Sequence, residues 1–444
     1  MDSSAITKTT AVLVALIIVV AVVAGVGGYF AGQSAGYDAG YKAGYDKGVM
    51  AGGAKAYEKG KSEGYKAGYE TGYKEGLKAG KPKGPTLPDK IKIGSLMCLS
   101  GFLGPMGQKI KLGVELAVKE INRKGGIAGR PVELIVEDTA TDPKTALEAF
   151  KKLVEVDGCK VVIGPMASPE VMAIGKYANE RKVVVISPTA TSPKITTEFP
   201  DDYIFRTVGS DALQGKALAD TALKKGFTKI ATLVLNNPYG IGIEEKAKEV
   251  LGDKIVLSIR YDPTKMDFRT ELSQIKDAGV EAVIYVGWYE DGQVMFRQAL
   301  EMGLDNIQWI AAEGVYGEPM FKVADAAEFM KRAVIGTRPI APTGLITYKL
   351  FAESFKKEYG KAPTMYQDTA YDATMLAALA IAYAGQYDGA KIKDALQYVS
   401  QYYIGATGHK MFDKNGDQLT QFYEIWKVEK VDGKYKFVGI GRWP

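Results

Sequence analysis

The chain has 444 residues, 46% of them hydrophobic and 25% charged, and a net charge of +5. It is too long for one ordinary domain and apolar enough for a real core. Between Ser34 and Pro88 ten Lys stand against six acidic residues, so nearly all the net charge sits there and the rest is close to neutral, which argues against a nucleic-acid groove.

Two cysteines, Cys98 and Cys159, show no CxxC spacing, and His409 is the one histidine. A disulfide framework is excluded at this length, and a zinc site or a Ser/His/Asp triad has almost no material to be built from. No cofactor and no metal is expected, and His409 reads as structural.

In chain order, Ala11 to Phe30 comes first, twenty residues without a charge and long enough to span a bilayer as a helix. Lys8 is the only cation ahead of it, a weak positive-inside signal. A cleaved signal peptide is the rival reading, although Val22-Val23-Ala24 makes a poor cleavage site. No cysteine follows to carry a bacterial lipid anchor. We expect residues 1–33 to be an uncleaved single-pass anchor that leaves the rest of the chain outside the cytoplasm.

Residues 34–88 form a stalk with glycine at every fourth position, a series that runs from Gly28 to Gly84 and is broken only by Ala56. Tyrosine often follows the glycine, as at Tyr37, Tyr41, Tyr65 and Tyr69. Nothing in it could form a compact core. It reads either as a flexible tether or as a helix pairing with a copy of itself, since small residues four apart let two backbones approach closely. Pro82, Pro85 and Pro88 end it.

From Asp89 onward short β-branched runs alternate with amphipathic helical stretches. The expected strands are Ile91–Leu96, Val132–Glu137, Val161–Gly164, Val183–Ile186, Lys229–Leu235, Ile255–Tyr261, Ala282–Val286, Trp309–Ala312 and Ala333–Thr337. Helices are expected between them, among others at Gly107–Lys124, Pro143–Val156, Asp211–Lys225, Tyr239–Leu251 and Asp291–Met302. Such alternation means an α/β fold with two parallel sheets covered by helices on both faces. Three helices without strands follow, Thr347–Tyr359, Met365–Tyr383 and Ala390–Ser400, and Gly408 to Ile440 reads as short antiparallel strands.

Open α/β sheets bind ligands at the carboxyl ends of their strands. After Val161–Gly164 comes Pro165-Met166-Ala167-Ser168-Pro169, which reads as a helix start with Ser168 as N-cap and free amides that attract a carboxylate or phosphate. After Val183–Ile186 comes a second hydroxyl-rich loop, Ser187-Pro188-Thr189-Ala190-Thr191-Ser192-Pro193. Gly287-Trp288-Tyr289-Glu290 and Glu313-Gly314-Val315-Tyr316 follow two later strands. Aromatics with a carboxylate suit an ammonium-bearing organic ligand. Two other motifs fail: Gly240-Ile241-Gly242 lacks the third glycine of a dinucleotide loop, and Asp413-Lys414-Asn415-Gly416-Asp417 has its glycine at the wrong place for a calcium loop. Asn415-Gly416 reads as a hairpin turn.

The segments INRKGGIAGRPVEL, VVIGPMAS, VVVISPTATSP, DFRTELSQIKDAGVEAVIYVG and MFDKNGDQ, in that order, resemble type I periplasmic binding proteins. The resemblance is to the leucine/isoleucine/valine-binding branch of ABC importers and runs from Lys90 to near the C-terminus. It implies two lobes joined by three crossovers, near Thr207, Arg338 and Ile404. One lobe is then 89–207 with 339–403, the other 208–338 with 404–444. It also implies that a ligand α-carboxylate meets Ser168, Thr189 and Thr191, that an α-ammonium meets Glu313, and that Tyr239, Trp288 and Tyr366 wall the pocket. Met106 stands where relatives often carry an aromatic, which leaves the shape of the side-chain pocket open. Thr141 and Ala167 replace a cysteine pair of some members.

The expected function is that of an extracytoplasmic solute-binding protein, not an enzyme. It would close by hinge motion on an amino acid or similar small carboxylate and hand it to an ABC permease. A sensor ectodomain and a stalk-assembled surface protein are the alternatives.

Overall fold

The computed structural model describes residues 87–200, 203–419 and 421–443. The expected anchor 1–33 and the glycine repeat up to residue 86 lie outside them. Among the described residues no helix is long and apolar enough to cross a membrane.

β1 (Ile91–Met97) leads into α1 (Gly104–Arg123), and β2 (Val132–Asp138) into α2 (Pro143–Lys151), which a π-helical turn at Lys152–Val156 prolongs. Then come β3 (Val161–Ile163), α3 (Ser168–Arg181), β4 (Val184–Ser187), α4 (Pro193–Glu198) and β5 (Ile204–Arg206). The second run is α5 (Asp211–Lys224), β6 (Ile230–Leu235), α6 (Pro238–Leu251), β7 (Ile255–Tyr261), α7 (Arg269–Ala278), β8 (Ala282–Val286), α8 (Tyr289–Glu301) and β9 (Gln308–Ala311). After it stand α9 (Ala324–Ala333), β10 (Val334–Ile340), α10 (Ile346–Tyr359), α11 (Gln367–Ala384) and α12 (Gly389–Ser400). The chain ends in β11 (Ile404–Gly405), β12 (Gly408–His409), β13 (Phe422–Val431) and β14 (Lys434–Trp443).

Two sheets organise these elements, a five-stranded one in the order β2-β1-β3-β4-β5 and a seven-stranded one in the order β14-β13-β10-β9-β8-β6-β7. The inner strands β3, β6 and β8 are buried along their whole length. That is why they read as unbroken apolar runs rather than alternating ones. At the edge, β7 alternates, with Val256 exposed and Ile259 and Tyr261 buried. One compact unit, Lys92–Glu120, Glu133–Ala377 and Leu396–Pro444, carries nearly all of both sheets. A smaller unit comprises, among the described residues, 87–91, 121–132 and 378–395. Within the smaller unit the Asn122 side chain brackets Val132, donating to its carbonyl and accepting from its amide, each at 2.8 Å.

Each sheet has its own core. Under the five-stranded sheet Leu96, Phe150, Leu153, Val162, Ile174 and Val185 form one buried cluster. Under the seven-stranded sheet Trp309 packs edge-on against Phe296 and Phe329, with ring centroids 5.9 and 5.3 Å away. Such aromatic pairs add about 0.5–1.5 kcal/mol beyond their area.

Three features correct the sequence reading. In the first sheet β1 pairs with β3, β3 with β4 and β4 with β5, all parallel as expected. The second sheet is mixed instead, because β13 joins β10 antiparallel and β14 joins β13 in the same sense. Those last strands are ten residues each rather than short. Asp432 and Gly433, at φ 51° and 76°, form the tight turn that their positive φ permits. Finally, Ile204–Arg206 is a strand that three residues were too few to announce.

Cys98 and Cys159 are both free and fully buried. Burial pushes the Cys159 thiol up to about 12 and holds Cys98 well above the ordinary thiol range, so neither forms the reactive thiolate near neutrality. Ellman's reagent is expected to label neither thiol in the native protein and two after unfolding without reductant. Fewer than two after unfolding would show that the cysteines pair.

Candidate ligand-binding site

The carboxyl ends of six strands, β1, β3, β4, β6, β8 and β9, feed the loops and helix starts around one cleft within the larger unit. The empty space there comes to about 440 Å³ when the open mouth is counted. All eight side chains singled out from the sequence line it: Ser168, Thr189, Thr191, Glu313, Tyr239, Trp288, Met106 and Tyr366. Leu103, Met166, Ala167 and Gly314 complete the lining and were not singled out, since apolar and glycine positions carry no chemical signal of their own.

One end of the cleft is built from hydroxyls. Gly164 sits at φ 103°, and a Cβ there would stand 2.1 Å from the Leu96 carbonyl. Only glycine lets the loop after β3 turn so close to β1. The next residues correct an expectation: the N-cap of α3 is Ala167, not Ser168. The Glu170 carboxylate reaches back to the Ala167 amide at 3.1 Å and does the capping from inside the first turn. The Ser168 hydroxyl is thereby left to face the neighbouring loop. It accepts from the Ser192 amide at 3.2 Å and keeps its own proton to donate. Thr189 differs, because its one hydroxyl proton goes to the Met166 carbonyl at 2.7 Å. It stitches the two loops together, as does Ser187, which donates to the Pro165 carbonyl at 2.6 Å.

The lining also holds a carboxylate. Glu313 is 5% exposed. The Tyr239 hydroxyl donates to its Oε1 at 3.0 Å, while its Oε2 and the neighbouring Tyr366 hydroxyl make no well-formed hydrogen bond among the described residues. Burial pushes the Glu313 carboxyl above its ordinary range, and the polar groups around it oppose that shift. Gly314 follows because a Cβ there would stand 2.2 Å from the Gly287 carbonyl. Tyr366 adopts φ 70°, a left-handed conformation that costs a non-glycine residue about 1–3 kcal/mol and clusters at functional sites.

Residues 90–434 match the model of the periplasmic binding protein family. The chain belongs to this family. It is a solute-binding protein and not an enzyme, as its family is. A Pseudomonas aeruginosa leucine-, isoleucine-, valine-, threonine- and alanine-binding protein is 30% identical over 347 residues, which cover 77% of this chain and 91% of that protein. A Streptococcus pneumoniae branched-chain amino acid transporter substrate binding protein, solved with isoleucine, superposes with a TM-score of 0.68 at 26% identity, covering 79% of this chain and 100% of the other. A solute binding protein of an ABC transporter from Rhodopseudomonas palustris, solved with 3,4-dihydroxy benzoic acid, gives 0.67 at 25% identity, covering 80% and 98%.

A second layer of this binding protein was not legible in the sequence. Asp291 accepts from the Trp288 amide at 3.0 Å and from the Tyr285 hydroxyl at 3.1 Å, and the Tyr261 hydroxyl donates to it as well. It caps α8 and sets the wall residue Trp288 in place. Its only sequence signal is its spacing, three residues after Trp288 where a helix begins.

Burial pushes the Asp291 carboxyl up to about 7 from an ordinary value of 3.8. A raised acid keeps its proton in the fold, so its contribution to stability is present at low pH and lost as pH rises through about 7. Asp291→Asn cannot ionise. Its stability relative to wild type is therefore expected to improve by roughly 2 kcal/mol between pH 5 and pH 8, measured by urea unfolding at both. A gap that stays constant would place the titration outside this range.

Proposed function

We propose that the cleft captures an α-amino acid, carboxylate toward Ser168 and Thr191 and ammonium toward Glu313, and presents it to an ABC permease. The observation that carries this reading is Glu313, a buried carboxylate in the lining of the cleft whose Oε2 makes no well-formed hydrogen bond. A benzoate-type ligand brings an anion but no cation to meet it. Relatives named for leucine, isoleucine and valine, or solved with isoleucine, support the same ligand class. Tyr239, Trp288 and Tyr366 wall the ligand, and Leu103, Met106 and Met166 offer apolar surface to its side chain. Capture proceeds by hinge closure of two lobes, 89–207 with 339–403 and 208–338 with 404–444.

Calorimetry tests the orientation. A thermal-shift screen of L-amino acids selects the ligand, which at about a hundred times its dissociation constant adds roughly 2.7 kcal/mol of stability. Glu313→Gln is expected to weaken it by about 2–5 kcal/mol with the fold intact, and its α-amide to bind far more weakly than the free acid. Undiminished binding by Glu313→Gln would sink the ammonium assignment, and equal binding of acid and amide would sink the carboxylate assignment.

The same reading places the binding domain outside the cytoplasm, held to the membrane by residues 1–33. The period of four in residues 34–88 supports a stalk that pairs with a copy of itself, since a flexible tether has no need of glycine at one fixed position in four. In detergent the full chain is expected to run as a dimer or larger, and a chain beginning at Asp89 as a monomer. If Leu at Gly40, Gly44, Gly68 and Gly72 leaves the size of the full chain unchanged, pairing through the glycines is wrong.

A further inference from the structure

Behind Glu313 lies a second acid that the ligand reading leaves unused. Asp211 opens α5, its amide donates to the Thr191 carbonyl at 2.8 Å, and it is fully buried. Neither of its carboxylate oxygens makes a well-formed hydrogen bond among the described residues, and the Thr191 hydroxyl is the one uncharged polar side chain that helps hold its charge. The Oε2 of Glu313 is likewise without a well-formed bond, with Tyr366 and Gln214 beside it.

The groups facing Asp211 come from every element packed around it. They are Glu313 after β9, Tyr239 at the start of α6, Tyr366 before α11, Tyr423 on β13 and Arg206 on β5. Arg206 is the one cation among them, and its guanidinium is committed elsewhere. Its Nε donates to Asp417 at 2.7 Å, its Nη1 to the Ser192 carbonyl at 2.9 Å and its Nη2 to Thr196 at 2.8 Å. Two buried acids thus share no counter-ion of their own, and like charges so placed cannot both ionise cheaply.

We infer that Asp211 and Glu313 together hold a proton in the empty cleft, and that the incoming ammonium displaces it. This rests on the amino-acid reading above and deepens it: Asp211 is a specificity-determining partner of Glu313. The exchange balances. A –COOH/–COO⁻ pair takes up an –NH₃⁺ group, becomes two carboxylates, and releases one H⁺ to solvent. The direction agrees with the local electrostatics, since burial first, and then the Glu313 charge, raise the Asp211 carboxyl well above its ordinary range. Because the empty site binds more protons than the filled one, affinity rises with pH, by up to about tenfold per pH unit for each proton released. A ligand that carries a carboxylate but no cation cannot displace the proton, and the pair of acids disfavours it.

The test is a proton count. The L-amino acid with the largest shift in the thermal screen is titrated calorimetrically at pH 7 in phosphate and in Tris, whose ionisation enthalpies differ. The dependence of the heat on buffer gives the protons released. Wild type is expected to release between about one half and one proton per ligand and to bind more tightly at pH 8 than at pH 6. Asp211→Asn is expected to release less than half the wild-type number and to flatten the pH profile. Zero release by wild type overturns the inference without any variant, and so does undiminished release by folded Asp211→Asn. In both cases the loss of affinity in Glu313→Gln still upholds the amino-acid site. If no L-amino acid binds, both ideas fall together.

Discussion

Strands that run in one direction deliver their carboxyl ends to one edge of a sheet, and the cleft is made of such ends. β3 pairs parallel with β1 and β4, and β8 parallel with β6 and β9. Register then decides which loops touch. Ile163 lies opposite Ile186, so the residues that follow each strand meet. The Gly164 amide donates to the Ile186 carbonyl at 2.9 Å, and Ser187 reaches Pro165. The inner strands are apolar along their length because helices cover both faces. The polar chemistry of the cleft therefore enters where each strand gives out.

The cleft that results is unbalanced in charge. Beside its hydroxyls stands the buried acid Glu313, with Asp211 behind the Thr191 loop, while the nearby guanidinium of Arg206 serves Asp417 and Thr196. Burying a carboxylate without a partner costs several kcal/mol, and the left-handed Tyr366 adds strain. A fold optimised for stability alone would have removed both. On the amino-acid reading proposed above, the missing charge arrives with the ligand, and energy withheld from folding becomes available to binding.

The strand-end loops were legible in the sequence because, in an α/β chain, a run of Val and Ile that gives way to Ser, Thr and Pro marks a buried strand ending at a polar loop. That pattern pointed to Ser168, Thr189, Thr191, Trp288 and Glu313, while Tyr239, Tyr366 and Met106 came from the family resemblance. What stayed hidden depends on contacts between distant segments. Asp211 and Asp291 looked like ordinary acids at helix starts, and only the packing of several elements around each shows that it is buried. Ser168 was misread as a cap because serine before proline is the usual signature, yet Glu170 sat close enough to take the role. The antiparallel strands β13 and β14 carried their own signal in Asp432-Gly433. Which sheet they join is set by pairing with β10, about ninety residues earlier, and no local pattern encodes that.

The segments that pass between the two sheets face a further demand. Backbone leaving a sheet loses its ladder partners, and buried polar groups must be satisfied by something else. Here side chains do it. Lys410, buried, donates to the Thr207 carbonyl at 2.8 Å and to Gln418, and the Thr207 hydroxyl donates to the Thr369 carbonyl at 2.9 Å. Asp372 accepts from the Tyr403 hydroxyl at 2.9 Å and from the amides of Ala406 and Thr407 at 2.7 and 2.9 Å. Burial draws Lys410 down to about 8, and the acids Asp372 and Asp368 hold it up against that pull. These bonds lie near Thr207 and Ile404, where chain crossings were expected. A ladder fixes a segment through many backbone bonds that must break together. Here a few side-chain bonds satisfy those groups instead.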